Sequence, residues 1–494
     1  MDGFLHAISI MTDPYLLFVI LCGTVGGVLV GALPGLTSTM ATALLLPFTV
    51  MMPPVPAIAL LSALYCAGTF GGSITAILIN APGAPPAAAT AIDGYPMAQR
   101  GEAGRALGMA TVSSTIGGIF SVIVLLVAAP MLARMAYSFG PPEYFALALF
   151  GLSMLASITK GSAVKNLIGG AFGVLVATVG IDFTTGVERF TFGYPEMTEG
   201  IHFIPVMIGI FGGAELLSQA ASLDMVYNRV AAIAVKLPSK EDFKLVWKTI
   251  VRSCGIGTFI GILPAEGGTV AAMIGYNKAR RWSKNKDEFG SGAIEGIAGP
   301  EAANNAATGG AMVPTLALGI PGSGTTAVIL GALLVHGLRP GPYLFQEQPD
   351  LLYGIFGAML VANILFLGIG LVGAKLFARI TLIPRTFLWP AVFVLAVVGA
   401  YSLEQAMVDV GIMLVFGLLG FVLRRYGFAP APIIMGIILG DLVENTLKQS
   451  LLLFEHDWTM FFGRPIAVSF FILTFLGLFG PFLFGQIRKM VRGK

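Results

Sequence analysis

The chain has 494 residues; 56% are apolar, only 11% are charged, and the formal net charge is +3. Soluble domains carry about 25% charged residues, and disorder needs low hydropathy with high net charge. A mean hydropathy of +0.85 therefore excludes both a disordered chain and a soluble multidomain enzyme. The 64 glycines and 29 prolines fit a polytopic helical membrane protein, since both residues are commoner in membrane helices than in soluble ones.

Residues 1–14 contain no Lys or Arg, so the basic region of a cleaved signal is missing and the first span is expected to be retained. Apolar runs follow at 15–33, 39–52, 55–80, 106–133, 144–158, 164–181 and 201–220. They resume at 251–277, 307–336, 351–378, 387–400, 406–423, 430–447 and 465–486. The runs are continuous rather than alternating, which argues against a transmembrane β-barrel. The expected fold class is all-α, a polytopic membrane protein with roughly ten to fourteen membrane segments. Several runs are too short to cross at about 1.5 Å per residue, and others are interrupted by Gly-Pro clusters.

One stretch, 224–292, is polar. Eleven of the 29 basic residues lie between Arg229 and Lys286, which places both of its parts in the cytoplasm by the positive-inside rule. The apolar run 253–277 between them must then enter and return, or be crossed twice by very short helices; a re-entrant hairpin turning near Leu263-Pro264 is the favoured reading. Irregular backbone at that depth is tolerated only inside protein or beside a wet cavity.

The chain also repeats itself. Gly27-x3-Gly31-x-Leu33-Pro34-x4-Thr39-x-Ala41 matches Gly257-x3-Gly261-x-Leu263-Pro264-x4-Thr269-x-Ala271. Gly71 with Pro82-Gly83 matches Gly310 with Pro321-Gly322, and Pro205-x3-Gly209-Ile210-x2-Gly213 matches Pro432-x3-Gly436-Ile437-x2-Gly440. Three matches in one order at similar offsets predict a duplication: residues 1–223 as one transmembrane repeat and 224–494 as the other. Residues 1–50 carry no Lys or Arg, whereas the second Leu-Pro block is flanked by basic residues. Opposite loop charge predicts inverted topology, and matching breaks in inverted repeats mark a transport site; parallel repeats with drifting loop charge are the alternative.

The breaks supply the candidate site. Pro34-Gly35 ends one helix, and Thr37, Ser38 and Thr39 stand where the next begins. A helix start has unpaired N–H groups and partial positive charge, and so suits a carboxylate. The same logic singles out Gly267, Gly268 and Thr269 beside Glu266, then Pro82-Gly83 after Asn80, then Pro321-Gly322 before Ser323, Thr325 and Thr326. The last break is expected to separate apolar halves of about eleven residues, 308–318 and 325–335. The bland alternatives are ordinary kinks and Ser/Thr caps. Asn304 and Asn305 border an apolar segment, where unpaired amides are costly; their carbonyls could hold a hard cation, or they could lie in a loop capping the next helix. Asn80, Glu266, Asn304 and Asn305 are thus the candidate ion-coupling residues. Isolated acids in apolar runs are functional candidates by default, at about 2.5–3.5 kcal/mol each on insertion scales: Asp182, Glu215, Glu266, Asp409, Asp441 and Glu444. Asp441 and Glu444 could instead lie at a helix end.

The three cysteines form no CxxC and the four histidines form no metal-ligand spacing, and no P-loop or GxSxG is present. No cofactor and no enzymatic chemistry are expected. The basic stretch, set between apolar runs, reads as a cytoplasmic loop rather than a nucleic-acid site.

Three blocks carry a family resemblance: GALPGLTSTMATALLLP at 31–47, GTFGGSITAILINAPGAPPAAATAIDGYPMAQRGEAGRALG at 68–108, and GPEAANNAATGGAMVPTLALGIPGSGTTAVILGALLVHGLRPGP at 299–342. They resemble the large membrane subunit of the tripartite tricarboxylate transporters, over essentially the whole chain. LPAEGG at 263–268 departs from the expected LPG followed by small residues. The resemblance implies a multi-pass protein of the bacterial inner membrane, working with a small membrane subunit and a periplasmic solute-binding protein. It implies uptake of di- or tricarboxylates or related organic anions, coupled to an ion, with sodium expected, and without ATP. Elevator-type motion enters only by fold-level analogy. The site residues named above would then bind carboxylate and sodium. No Arg is expected in the turns, so helix dipoles and bound cations would meet the substrate's charge. Other classes stay open: a channel without a binding-protein partner, a transporter of another anion class, or an intramembrane enzyme.

Overall fold

The structure is a computed structural model that describes residues 9–158, 162–182, 184–220, 235–263, 267–380 and 385–492. Among these residues it is all-helical apart from one antiparallel pair of two-residue strands, β1 (Gly180–Ile181) and β2 (Glu188–Arg189).

The first half contains α1 (Pro14–Gly31), α2 (Ser38–Thr49), α3 (Pro54–Ile79), α4 (Ala88–Gln99), α5 (Ala103–Ala136), α6 (Pro141–Ile158) and α7 (Ala163–Ala177). After the strands come α8 (Phe203–Met207), a π-helical segment (Ile208–Gly213) and α9 (Ala214–Ala220). The second half contains α10 (Lys240–Ile262), α11 (Gly267–Trp282), α12 (Glu295–Leu318), α13 (Gly324–Val335) and the short α14 (Leu344–Glu347). It ends with α15 (Pro349–Ile380), α16 (Arg385–Glu404), α17 (Met407–Arg425), α18 (Pro430–Leu453) and α19 (Pro465–Arg492). Among the described residues seven helices are long and apolar enough to cross a membrane: α1, α3, α5, α10, the Pro349–Gly373 part of α15, α17 and α18. Six shorter apolar helices accompany them, α2 and α13 among these. The protein is a multi-pass membrane protein.

Two pairs of places in the two halves have similar surroundings. Gly31 lets α1 cross α3 so closely that a Cβ there would stand 2.3 Å from Gly68 O; on α10, a Cβ at Gly261 would stand 2.5 Å from Ala307 O of α12. Both distances are shorter than packed atoms permit, so only glycine fits either crossing. α3 and α12 each end on a left-handed residue, Asn80 (φ 52°) and Gly319 (φ 70°). The two halves also interleave. α5 packs on α12 while α15 packs on α3, and α7 packs on α18 while α17 packs on the π segment. Among the described residues the two largest apolar clusters each draw on both halves, and four minor clusters lie beside them. The expected repeat boundary near residue 224, and the turn residues Pro264 and Glu266, lie outside the described residues.

Two expectations need correction. The Asn304-Asn305 stretch is not a loop. It lies inside α12, which runs unbroken from Glu295 to Leu318 and is buried from end to end. The half-helix expected at 308–318 is therefore only the last part of a 24-residue helix. Small residues explain this: Gly, Ala and Thr let α5, α10 and α11 close around α12, and tertiary packing overrides the weak local propensity.

The flanks of the Leu263-Pro264 turn form two packed helices. α10 has 23 residues and opens with a capping box, Ser239 with Asp242. α11 has 16 residues and carries Arg280 and Arg281 in its last turn.

Candidate functional site

Helix starts converge on one cavity of about 300 Å³, at the lower end of the range for small-molecule sites. Four α-helices begin at its wall: α2 (Thr37, Ser38, Thr39), α11 (Gly268, Thr269), α13 (Ser323, Gly324, Thr325) and α18 (Pro430, Ala431). The turn before α4 adds Ala84, Pro85 and Pro86. Of these four, α2 comes from the first expected repeat and α11, α13 and α18 from the second; with the turn before α4, the wall includes residues at or just after both sequence-matched pairs of breaks.

The two best-defined starts are locally capped. Thr37 Oγ1 accepts from Met40 N at 3.1 Å. Ser323 Oγ accepts from Thr326 N at 3.2 Å while Ser323 N donates to Thr326 Oγ1 at 2.9 Å. A cap satisfies one of the four amides that a helix start leaves without an intrahelical carbonyl. The amides of Ser38 and Thr39, and of Gly324 and Thr325, remain at the cavity wall. The half-helices are tied together there. Thr39 Oγ1 and Thr325 Oγ1 share a hydrogen bond of 2.8 Å, and Tyr65 OH meets Ser323 Oγ at 3.2 Å.

Asn304 lines the same wall and is 1% exposed, yet neither its Oδ1 nor its Nδ2 has a hydrogen-bond partner. A buried amide in that state is costly, so the site has polar capacity to spare. Thr308, one turn on, donates to Asn305 O at 2.7 Å.

The cavity also contains a guanidinium, contrary to the expectation that dipoles and cations alone meet substrate charge. Arg424, in the last turn of α17, pairs with Glu215 of α9 at 2.5 Å and donates to Ile210 O of the π segment at 3.3 Å. Its Nε is buried without a partner. Glu215 also accepts from Gln219 Nε2 at 2.8 Å. Gln219 packs on Gly35, whose φ of 93° requires glycine. No spacing rule could have joined Glu215 to an arginine 209 residues away. Tyr65, Thr69, Phe211 and Thr308 also line the cavity unforeseen, because in the sequence they read as ordinary members of apolar helices.

Other predicted residues stand behind the wall. Gly35, Pro82, Gly83, Gly267, Pro321, Gly322, Thr326 and Asn305 shape the turns and crossings without lining the cavity. Gly83, for example, closes on α3 through Gly83 N to Gly72 O at 3.3 Å. Asn80 is exposed and ends α3 as its left-handed C-cap; it is not among the residues that line the cavity. Glu266 lies outside the described residues.

Three of the isolated acids belong to another part of the surface. Asp182 accepts from Lys448 Nζ at 2.6 Å and from the amides of Thr184 and Thr185. Those contacts hold its carboxyl well below the usual carboxylate range, the lysine first. Glu444 pairs with Arg189 at 2.5 Å and with Lys448 at 2.6 Å, and Asp441 beside it is exposed. This cluster anchors the strand loop to α18. Among the described residues no group of three or more His, Cys, Asp or Glu could hold a metal ion.

A sequence model of the tripartite tricarboxylate transporter TctA family matches residues 17–435. The chain belongs to this family. The matched TctA region holds every residue that lines the cavity. An uncharacterized 52.8 kDa protein of the TAR-I ttuC' 3' region of Agrobacterium vitis is 42% identical over 450 residues, 90% of this chain and 89% of that one. A second Agrobacterium vitis protein, from the TAR-II ttuC' 3' region, is 40% identical over 213 residues, 43% of this chain and 88% of its own length. No solved structure matches. TctA is a family of transporters, so the convergent helix starts belong to a transport protein rather than to an enzyme.

Proposed function

We propose that the chain is the large subunit of a secondary uptake system for di- or tricarboxylates or related organic anions, and that the cavity is its substrate site. The observation that carries this reading is the gathering of four helix starts, one guanidinium and an unpartnered amide around one cavity. Each contributes hydrogen-bond donors or positive potential, and Glu215, the only carboxylate on the wall among the described residues, is already paired. A polyanion supplies what the site lacks. In this reading Arg424 takes one substrate carboxylate, the α2 and α13 amides take another, and Ser38, Thr39, Ser323 and Thr325 add hydroxyl contacts.

The same reading includes ion coupling. Two or three negative charges in a low-dielectric site need more countercharge than one shared guanidinium. Sodium is the proposed ion, with the Asn304 carbonyl oxygen as a ligand. The proposed partners are a small membrane subunit and a periplasmic solute-binding protein, in a bacterial inner membrane. The exchanged packing of the two halves and their opposite loop charge support an inverted repeat, with its join near residue 224. Elevator-type motion is the proposed mode of alternating access.

The test is uptake of labelled citrate, malate and succinate into proteoliposomes holding the chain with the small membrane protein and solute-binding protein encoded beside it. Saturable uptake that disappears when the binding protein is omitted supports the reading. Non-saturating flux that persists without the binding protein would replace it with a channel.

A further inference from the structure

Glu301 lies on α12 one turn before Asn304 and Asn305, and it is 0% exposed. Among the described residues its carboxyl is met by hydroxyls alone. Thr90 Oγ1 of α4 donates to Oε1, and Ser114 Oγ of α5 donates to Oε2 at 2.7 Å. Three separate helices thus close on one acid with no cation among them. Asn305 Nδ2 donates to the Glu301 backbone carbonyl at 3.1 Å, which leaves Asn305 Oδ1 buried and unpartnered. Asn304, with both amide atoms unpartnered, continues the polar track into the cavity wall.

Several charged and titratable groups on the surrounding helices have other partners. Asp93 of α4 accepts the amides of Gly290, Gly292 and Ala293, and Tyr276 of α11 lies against it. Arg105 of α5 pairs with Glu102 and with Asp242 of α10. Glu295, earlier on α12, accepts from Thr249 of α10 and from Ser283. Cys66 of α3 faces Thr308 and Asn363, and Cys254 of α10 is a buried thiol. None neutralises Glu301. An ionised carboxylate at this burial is strongly unfavourable unless a cation joins it, and intramembrane acids in such places mark ion pathways.

We propose that Glu301 is an exchangeable monovalent-cation site, filled by a proton or by sodium, and that Asn304 and Asn305 link it to the substrate cavity. The proposal rests on the transport reading above. Filling the site neutralises the acid and lets the loaded cavity move; emptying it holds the carrier back. Thr90 and Ser114 hold the carboxyl in either state, as donors to the anion or as acceptors from the acid.

The experiment compares the reconstituted full system with its Glu301→Gln and Glu301→Asp variants. It uses citrate, malate and succinate as probes, with a pH gradient alone and then a sodium gradient alone. Wild-type uptake driven by the pH gradient assigns the proton, and uptake driven by the sodium gradient assigns sodium. Glu301→Gln is expected to lose gradient-driven uptake at least tenfold while counterflow of preloaded substrate stays within about threefold. Glu301→Asp is expected to keep its response to the same gradient. Three results overturn the proposal: Glu301→Gln keeping the wild-type gradient response, both variants losing counterflow and thermal stability alike, or wild-type uptake responding to neither gradient. A wild-type system that takes up no carboxylate at all would instead defeat the transport reading itself.

Discussion

The cavity and the strand-loop cluster are built from the same residue types and end in opposite states. In the loop cluster two acids, Asp182 and Glu444, meet two bases, Arg189 and Lys448, at 2.5–3.3 Å. Those four charges are paired among themselves. In the cavity Arg424 and Glu215 pair as well, but the helix starts and an amide with no partner add donors that no described group takes. A balanced cluster stabilises a fold, whereas a surplus of donors around a space calls for a guest. The contrast separates residues that hold the protein together from residues that act.

Substitutions can break that contrast. The largest effect is expected from Arg424→Gln, which removes a charge-assisted contact of roughly 1.5–3 kcal/mol. Apparent affinity for the transported carboxylate should fall about 10- to 100-fold, read from concentration-dependent uptake. Wild-type affinity in this variant would take Arg424 out of the site. Asn304→Ala should weaken substrate or ion binding by about tenfold without lowering the melting temperature, because no protein hydrogen bond is lost. A large drop in stability with intact binding would move Asn304 to the structural side.

The loop cluster should behave in the opposite way. Because the folded-state pKa of Asp182 is lowered, its contribution is present above the ordinary carboxylate value of about 4. It is lost as pH falls below that value through the lowered one. Melting in detergent at pH 7 and pH 3 should therefore differ less in Asp182→Asn than in the wild type, with uptake at pH 7 unchanged. Smallest of all, Thr39→Val removes one hydroxyl bridge between half-helices and should weaken affinity about threefold, in line with a neutral hydrogen bond of roughly 0.5–1.5 kcal/mol.

Much of this arrangement was legible in the sequence. Pro and Gly punctuate the chain where helices stop, and hydroxyl residues follow where they restart; Thr37, Ser38, Thr39, Gly268, Thr269, Ser323 and Thr325 indeed share one wall. Local rules reach that far because a helix start is a local event. They fail for Asn304, placed in mid-helix by packing that the sequence around it does not announce. They fail again for Arg424, whose role depends on a partner in the other half of the chain. The same limit hid the place of Asn80: its left-handed backbone makes it a cap, and the residues of that break that line the cavity are those just after it, Ala84 to Pro86. The acids Asp182 and Glu444 stood out by hydropathy, but only the fold reveals the bases that neutralise them.

The π segment at Ile208–Gly213 carries a consequence for how such a site can change over generations. A π turn absorbs one extra residue locally, so the helix on either side keeps its facing. Phe211, inside the turn, projects to the cavity, and Glu215, just beyond it, holds Arg424. A descendant lacking one residue here would withdraw the aromatic wall and leave the ionic anchor where it stands. Pocket volume can thus drift by single insertions and deletions while charge recognition is inherited intact.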